Sequence, residues 1–432
     1  MPARRLERSE SGFDEAFDAL LNAKRSAEAN VDAVVADILS SVRTRGDEAL
    51  AEYTRRFDRL DLERHPINIP AAQIAEARRQ VLPEQQRALE HAAQRIRAYH
   101  ERQRPEDWQF EDSAGFVLGS RWTPVDSAGL YVPGGTAAYP SSLLMNAIPA
   151  RVAGVGRLVM VVPTPNGEIN DLVLAAANIA GVEEIYRIGG AQAIGALAYG
   201  TESIRPVDKI VGPGNAYVAS AKKQVFGLVG IDMLAGPSEI LVIADNQSDP
   251  TWIAADLLSQ AEHDPTAQSI LITDSTEFAD RVVRAVEDFL ATLPRAAIAR
   301  ESWETFGAVI TVDNLERAVD LVDRIAPEHL ELAMDQADAF AARVRHAGAI
   351  FIGRHVPEAV GDYIGGPNHV LPTSRAARFS SGLGVLDFMK RTSTIQGSAE
   401  ALGAVGPDAM VLARAEGLDA HALSIGIRLG RR

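Results

Sequence analysis

The sequence predicts an α/β protein with two domains, each built around a parallel sheet, plus a helical N-terminal segment and a helical C-terminal tail. Two observations carry this prediction. The triplet Ala-Gly-Val occurs at 153–155 and again at 180–182, each time directly before a strand-like run, and the offset of 27 residues is the length of one βα unit. A second series of strand-like and helical runs lies between residues 240 and 352. Parallel sheets with helices on both faces are typical of Rossmann-like domains.

Helices are predicted at both ends of the chain, and strands and helices alternate between them. Apolar residues recur every three to four positions in residues 30–57 and 71–102, which indicates helices, and the tail after about residue 380 contains no strand-like run. From residue 117 onward, short β-rich runs alternate with Ala-rich helical runs. The predicted strands are 158–163, 185–188, 209–211, 231–234, 240–244, 269–273, 308–312 and 349–352, and the predicted helices include 215–226, 249–263, 275–293 and 314–334.

Composition narrows the class of protein. The net charge of −15 disfavours nucleic acid and anionic membranes as partners. The chain contains no cysteine, which excludes disulfides and thiol nucleophiles, so that any metal must be bound by nitrogen and oxygen ligands. No apolar run approaches the roughly 18 residues of a membrane span. The basic residues near the N-terminus are not followed by an apolar stretch, so the cytoplasm is the expected location.

Three Gly-rich loops are candidates for binding a cofactor phosphate. They are residues 133–136, 189–192 and 212–215, and the second and third each connect a predicted strand to a predicted helix. Glycine at such a position lets backbone N–H groups approach a phosphate at the positive end of a helix. None of the loops has the complete G-x-G-x-x-G fingerprint, so a role limited to turning the chain stays open.

Candidate metal ligands are scattered along the chain. Gln260 and His263 are three residues apart on a predicted helix, which places both on one face, although a histidine near a helix C-terminus is more often a partner of the helix dipole. Asp362 lies in a Gly-rich loop, where an Asp turn is the alternative. Glu416 and His421 lie close to the C-terminus. Spacing alone indicates no more than a site for a metal with nitrogen and oxygen ligands.

An adjacent acid and imidazole, Glu328 and His329, form the candidate catalytic pair. They follow Pro327 at the predicted first turn of a helix. Histidine has a pKa of about 6.5 and can act as a base at neutral pH, while a neighbouring carboxyl can serve a second proton transfer. A glutamate favoured by the positive end of a helix, beside an incidental histidine, is the alternative.

These motifs occur together and in this order in histidinol dehydrogenases, and the sequence resembles that family over essentially its whole length. No motif position departs from the family pattern. The motifs that carry the resemblance are 131–135 (YVPGG), 139–142 (YPSS), 145–149 (MNAIP), 189–194 (GGAQAI), 212–216 (GPGNA), 235–239 (AGPSE), 258–263 (LSQAEH), 327–331 (PEHLE), 365–372 (GGPNHVLP) and 416–421 (EGLDAH).

The resemblance implies a role for each matching residue. It also implies a homodimer whose tail crosses to the partner, so that Glu416 and His421 would complete the other subunit's site. The implied zinc ligands are Gln260, His263, Asp362 and His421; the catalytic pair is Glu328 and His329; the substrate contacts are Ser238, His369 and Glu416 together with His329 and the zinc ligands; and the NAD contacts are Tyr131, Gln192 and Asn215.

The implied reaction is the oxidation of L-histidinol to L-histidine by two NAD, in histidine biosynthesis, through bound L-histidinaldehyde, with one zinc per subunit. A cysteine-free chain cannot form a thiohemiacetal, so a hydrated aldehyde is the remaining simple route. Glu328 would activate the water and His329 would accept the protons. We divide the chain into a first α/β domain (1–128 with 239–380), a second (129–238) and an exchanged tail (381–432).

Three alternatives stay open on the sequence. The first is a zinc-dependent dehydrogenase of the same fold for another alcohol, such as a sulfonated diol. His369 and Glu416 disfavour it, because they suit a cationic, imidazole-bearing substrate. The second is a zinc-dependent hydrolase that uses Glu328 without NAD, and the third is a catalytically silent ligand-binding dimer. Formation of NADH with histidinol separates the second and third from a dehydrogenase.

Overall fold

Three sheets organise the part of the chain that the computed structural model describes, which is residues 3–23, 31–62, 64–134, 139–234 and 236–431. Two sheets are parallel, with six and five strands, and the third is antiparallel with three. The strands are β1 Arg4–Glu7, β2 Trp108–Glu111, β3 Val117–Pro124, β4 Ser127–Tyr131, β5 Arg157–Val161, β6 Glu184–Tyr186, β7 Lys209–Val211, β8 Gly230–Ile231, β9 Glu239–Ala244, β10 Gln268–Thr273, β11 Ala308–Thr311, β12 His329–Ala333, β13 Ala349–Ile352 and β14 Met389–Gln396.

Helices cover both faces of the parallel sheets, which confirms the predicted α/β class. The helices are α1 Phe13–Leu21, α2 Asp32–Arg45, α3 Asp47–Phe57, α4 Ala71–Gln80, α5 Pro83–Glu101, α6 Pro140–Ala153, α7 Asp171–Ala180, α8 Gly190–Tyr199, α9 Ala216–Val225, α10 Pro250–Ala261, α11 Thr276–Leu290, α12 Ala296–Phe306, α13 Val319–Ile325, α14 Ala337–Ala341, α15 Glu358–Tyr363, α16 Ala399–Ala415 and α17 Asp419–Arg428.

The five-stranded sheet has the strand order β6-β5-β4-β7-β8. Successive side chains of a strand point to opposite faces. On β5, Leu158 and Met160 join one apolar cluster with α6 and α7, while Val159 and Val161 join another with α8 and α9. Both faces are therefore buried, as expected for a parallel sheet, and only the strand ends are available to a ligand.

The N-terminal helices pack on this five-stranded sheet. Helices α4 and α5 join the cluster that contains Leu158, and α2 and α3 join the cluster that contains Val159. Only β1 and α1 lie with the six-stranded sheet, through pairing with β11 and the buried side chain of Phe17. Our division into domains stays a proposal, and this packing favours moving residues 31–101 into the second domain.

Two helices predicted as continuous are each interrupted. Gly46, with a φ of +51°, separates α2 from α3 within the predicted run 30–57. This φ lies in the left-handed region that only glycine adopts at little cost. Leu82 is extended, with a ψ of 140°, because the ring of Pro83 disfavours a helical conformation in the preceding residue. The run 71–102 is accordingly two helices, α4 and α5.

The six-stranded sheet has the strand order β1-β11-β10-β9-β12-β13. Strand β12 lies inside a region predicted as helix (314–334), so that part of the prediction is wrong. Helix α13 ends at Ile325 because Ala326 has a φ of 47° and Pro327 follows. The first four residues of β12, His-Leu-Glu-Leu, alternate between polar and apolar, but all five residues are buried, so the alternation is short and does not correspond to one exposed and one buried face.

The antiparallel sheet corrects the prediction for the tail. Strand β14 pairs with β3 over all eight of its residues, although no strand was predicted after residue 380. Its sequence, MKRTSTIQ, is polar and almost entirely exposed, so backbone pairing rather than an apolar face holds it. The helices α16 and α17 follow and pack mainly on each other. No helix among the described residues is both long and apolar enough to cross a membrane.

Candidate active site

The candidate catalytic pair lies at the amino end of β12, not on a helix. Glu328 and His329 follow Pro327 and are 6% and 4% exposed, respectively. The neighbouring strand β9 begins at Glu239, and Ser238 directly precedes it. These residues therefore lie at the amino edge of the six-stranded sheet, where its adjacent strands β9 and β12 begin.

The hydrogen bonds of His329 determine which of its ring nitrogens is free. Nδ1 lies 2.9 Å from the carbonyl oxygen of Glu239. A carbonyl can only accept, so Nδ1 carries the proton and Nε2 carries the lone pair. Burial lowers the pKa of His329 to about 4, with the charge of Asp362 acting in the opposite direction. The imidazole is therefore neutral at neutral pH, and its Nε2 can accept a proton.

The side-chain carboxylates of Glu239 and Glu328 each accept a hydrogen bond from the backbone N–H of the other residue. The backbone N–H of Glu239 donates to Oε2 of Glu328 at 2.8 Å, and the N–H of Glu328 donates to Oε2 of Glu239 at 3.3 Å. The N–H of Ser374 donates to the other Glu239 oxygen at 2.8 Å. Burial, reinforced by the charge of Glu239, raises the pKa of Glu328 well above its usual range. This shift brings the carboxyl closer to the pKa of an effective general base.

Asp362 lies at the centre of a group of imidazoles and carboxylates. Its backbone oxygen is 2.9 Å from Nδ1 of His369, and Oδ2 of its side chain is 3.9 Å from Nε2 of His263. Ligand atoms of His329, Glu358 and Asp362 lie within 4.8 Å of one another. In the part of the chain that the structure describes, this is the one such group of three or more His, Cys, Asp or Glu.

Gln260 adds an amide to this group. It is fully buried, and neither its Oε1 nor its Nε2 has a hydrogen-bond partner. A buried polar atom without a partner costs about 1–3 kcal/mol, so two such atoms on one side chain call for a water, an ion or a ligand as partner. Helix α10 ends at Ala261, so His263 lies beyond the helix rather than on it as predicted, and its N–H donates to the carbonyl of Gln260 at 3.2 Å. Amide, imidazole and carboxylate ligands fit a divalent cation such as zinc.

The predicted NAD contacts lie at the carboxyl edge of the five-stranded sheet. Tyr131 ends β4, and its hydroxyl accepts from the N–H of Gly190 at 3.1 Å, while burial raises its pKa to about 12. Gln192, in the first turn of α8, is 1% exposed and its Oε1 has no hydrogen-bond partner. Asn215 caps α9, with Oδ1 accepting from Tyr217 N–H at 3.1 Å. Residues 135 and 136 of the first Gly-rich loop lie outside the described residues, as do residues 137, 138 and 235.

A buried ion pair braces the third Gly-rich loop. Gly212 has a φ of +113°, its N–H donates to Asp232 at 2.8 Å, and its carbonyl accepts from Nζ of Lys222 at 2.9 Å. Lys222 and Asp232 also contact each other, with side chains 4% and 1% exposed. Each backbone group of Gly212 thus meets one member of the ion pair, which fixes the start of the loop that leads to Asn215.

Replacement of Lys222 by methionine is expected to lower the free energy of unfolding by about 3–5 kcal/mol, because it leaves Asp232 buried without a counter-charge. Urea titration measures this loss. The matched control is Lys223→Met, since the Lys223 side chain is 63% exposed and its ion pair with Asp32 spans 3.7 Å. The control should change stability by less than about 1 kcal/mol. Equal losses in the two variants would contradict the role assigned to the buried pair.

Glu416 and His421 are not brought to the other predicted ligands within one chain. Glu416 follows α16 and His421 lies in the first turn of α17, and both side chains are exposed. His421 belongs to no potential metal-binding group among the described residues. The same two helices expose apolar side chains at Val411, Leu412, Leu423 and Ile427, each more than half accessible.

The comparisons with known proteins bear on this arrangement directly. The sequence model of the family described as histidinol dehydrogenase matches residues 21–429. This chain belongs to the histidinol dehydrogenase family. Histidinol dehydrogenase of Rhodospirillum rubrum is 64% identical over 432 residues, which is 100% of this chain and 99% of that protein. Histidinol dehydrogenase of Ruegeria pomeroyi is 61% identical over 426 residues, covering 99% and 98% of the two chains.

A solved structure agrees with the fold. The crystal structure of histidinol dehydrogenase from Elizabethkingia anophelis has a TM-score of 0.94 and 34% sequence identity, and the match covers 99% of this chain and 98% of that one. The predicted resemblance is therefore confirmed, as is the class of NAD-dependent oxidoreductase. NAD and zinc are the cofactors of histidinol dehydrogenases, and the alternative of a different alcohol substrate finds no support.

Sequence reasoning missed three buried glutamates of the site, which are Glu239, Glu331 and Glu358. Burial and the charge of Asp362 raise the pKa of Glu358 to about 8. Burial and the charge of Asp256 raise the pKa of Glu331 to about 9. Glu358 lies four residues before Asp362, so that both fall on one face of α15, and this spacing was the available signal. Glu331 lies on β12, which the prediction treated as helix, so its burial could not be anticipated.

Proposed function

We propose that this chain oxidises L-histidinol to L-histidine with two NAD, at a site built from Glu328, His329 and the side chains around Asp362. Membership of the histidinol dehydrogenase family supports the reaction. The observation that carries the assignment of the site is the neutral, buried His329, whose free Nε2 lies beside Glu358 and Asp362. The proposed location is the cytoplasm, where a biosynthetic dehydrogenase finds its substrate.

His329 is the proposed base of the alcohol oxidation. A hydride leaves the carbinol carbon readily only when the hydroxyl proton leaves as well, and Nε2 accepts that proton. NAD, when bound, accepts the hydride in each of the two oxidations. Because Nδ1 stays bonded to the Glu239 carbonyl, the ring keeps its orientation while Nε2 gains the proton. The products of this step are the aldehyde, NADH and one proton.

Glu328 is the proposed base of the aldehyde oxidation. With no cysteine in the chain, oxygen must be added to the aldehyde as water. The Glu328 carboxylate removes a proton from this water as it attacks, and the protonated His329 returns the proton of the first oxidation to the carbonyl oxygen, which gives the aldehyde hydrate and a neutral His329. Loss of a second hydride and of the hydroxyl proton to His329 then gives the carboxylic acid. The raised pKa of Glu328 makes its carboxylate a stronger base than a solvated glutamate.

The proposed zinc ligands are Gln260, His263, Asp362 and His421 of the partner subunit. The two unpartnered amide atoms of Gln260 support this set from within the chain. Zinc held there would bind the imidazole and amine of the substrate and so keep the aldehyde in the site between the two oxidations. The proposed further substrate contacts are Ser238 and His369 of the same chain and Glu416 of the partner subunit.

The proposed assembly is a homodimer with exchanged tails. Within one chain, His421 and the apolar side chains of α16 and α17 are exposed, and a second copy is the partner that would cover them. Strand β14 lies near the start of the tail and pairs with β3, and this pairing fixes the point from which α16 and α17 extend. This arrangement supports completion of each site by the other chain.

Mixing two inactive variants tests the exchange. His421→Ala should lose zinc, and His329→Asn should keep zinc but lose turnover. Coexpression of the two should restore about one quarter of wild-type activity, because half of the dimers are mixed and each of these contains one intact site. Zinc content per chain and the mass of the purified assembly complete the measurement. Mixed dimers without recovered activity would show that His421 does not act in the partner's site.

The reaction itself is tested by stoichiometry. Two NADH per histidinol consumed, with histidine as product, is the expected result. The control is the same alcohol without its amine, 3-(imidazol-4-yl)propan-1-ol, which should be oxidised far more slowly. One NADH per alcohol, or faster turnover of an alcohol that lacks the imidazole, would refute the proposed function.

A further inference from the structure

The five-stranded sheet has the strand order of a dinucleotide-binding domain but lacks one of its parts. Its order, β6-β5-β4-β7-β8, corresponds to 3-2-1-4-5, with β4 as the first strand. In that arrangement a carboxylate beyond the second strand binds the ribose hydroxyls of the adenosine. Here the second strand is β5, and residues 162–165 after it read Val-Pro-Thr-Pro. None of these four residues directly after the strand is a carboxylate, and Glu168, further along the loop, is exposed.

Asp58, from the N-terminal helical segment, occupies this position instead. It is the residue after α3, and its carbonyl oxygen accepts from the N–H of Asn166 at 2.8 Å, in the loop that follows β5. Helix α3 ends there because Arg59 adopts a φ of +54°. Packing of α3 on the sheet therefore delivers a carboxylate to the carboxyl end of β5.

The side chain of Asp58 is buried without a partner for one of its oxygens. It is 8% exposed, and Oδ2 has no hydrogen bond. Two other buried oxygens at this edge of the sheet also lack partners, Oγ1 of Thr164 and Oε1 of Gln192. A ligand with several hydroxyl donors would satisfy all three, whereas leaving them unsatisfied costs about 1–3 kcal/mol each.

The Asp58 carboxylate lies close enough to the proposed NAD contact Tyr131 for its charge to act on that residue. Its charge acts on the hydroxyl of Tyr131, which accepts from Gly190 N–H at the start of α8. Burial raises the pKa of Asp58 to about 6, as expected for a carboxylate that has lost water and gained no donor. A hydroxyl donor would stabilise its ionised form.

We propose that Asp58 accepts hydrogen bonds from the adenosine ribose hydroxyls of NAD and thereby makes this enzyme select NAD over NADP. The inference rests on the proposed function, because it takes the carboxyl edge of this sheet as the cofactor site. A 2′-phosphate would bring negative charge against a buried carboxylate, which disfavours NADP. The residue that sets cofactor specificity thus comes from the helical segment rather than from the sheet.

The variant Asp58→Asn tests this with little change of shape. At saturating histidinol, kcat/KM for NAD should fall about tenfold or more, as for a lost hydrogen bond to a charged group, while KM for histidinol stays unchanged. The preference for NAD over NADP should fall by at least the same factor. The matched control is Asp37→Asn, an exposed carboxylate on α2 of the same segment, which should leave both quantities unchanged.

Deoxy analogues separate a direct contact from a structural effect. Wild type should prefer NAD to its 2′-deoxyadenosine or 3′-deoxyadenosine analogue by about tenfold, and Asp58→Asn should lose this preference. The proposal is overturned if Asp58→Asn keeps the wild-type preference for NAD over NADP and over the analogues. It is also overturned if wild type uses NAD and both analogues equally well, and this second result does not require the variant to fold. If wild type forms no NADH from histidinol, the proposed function fails, and calorimetric binding of NAD and NADP to Asp58→Asn still tests Asp58.

Discussion

The His329→Asn variant is expected to lose about 10²- to 10⁴-fold in kcat for histidinol, the usual contribution of a general base. Asparagine keeps an N–H donor near the position of Nδ1, which bonds to the Glu239 carbonyl at 2.9 Å in the wild type, and removes only the basic Nε2. Because His329 is 4% exposed, solvent cannot readily replace it as proton acceptor. The aldehyde should be oxidised poorly as well, since the hydrate must also lose a hydroxyl proton.

The measurement is steady-state NADH formation with histidinol and with histidinaldehyde, accompanied by zinc content and circular dichroism. The exposed His65→Asn serves as the matched control and should behave as wild type. A folded, zinc-containing His329→Asn enzyme that keeps more than about a tenth of wild-type kcat would exclude His329 as the base.

The Glu328→Gln variant is expected to separate the two oxidations. Loss of the carboxylate should slow aldehyde oxidation by about 10²-fold or more, because water then has no base, and should slow alcohol oxidation much less. The glutamine oxygen can still accept the N–H of Glu239, so β9 and β12 stay joined. With histidinol as substrate, the ratio of NADH formed to histidinol consumed should therefore fall from two towards one.

Single-turnover experiments with each substrate measure the two steps apart. Glu331→Gln provides a comparison on the same strand, since Glu331 is also buried but its carboxylate interacts with Asp256 rather than with Glu239. Equal slowing of both oxidations in Glu328→Gln would contradict the proposed division of labour between Glu328 and His329.

The sequence predicted most of the parallel strands because their ends are marked by Gly-rich turns and their interiors by β-branched residues. It failed where the alternation of side chains is short or absent. Strand β12 alternates between polar and apolar residues over only four positions and is buried at all five, and β14 is exposed at nearly every position and does not alternate. Backbone pairing decides both, and pairing partners such as β3 for β14 are remote in the chain.

The candidate site was predictable only in part for the same reason. Resemblance supplied Gln260, His263 and Asp362, which spacing alone could not join, and the structure brings their neighbourhood together by packing α10 and α15 near β12. Glu358 has only its spacing from Asp362 as a local signal and Asp58 has none, because the importance of both depends on burial beside residues far away in the sequence. Their unpartnered oxygens become visible only in three dimensions.

The reciprocal hydrogen bonds between Glu239 and Glu328 also make the protonation state of Glu328 observable through amide hydrogen exchange. Each amide hydrogen there is retained by the other residue's carboxylate, not by a strand neighbour. When the Glu328 carboxylate takes up a proton, the hydrogen bond that it accepts from the Glu239 N–H weakens. Deuterium exchange at that one amide would then follow the charge of Glu328 during turnover.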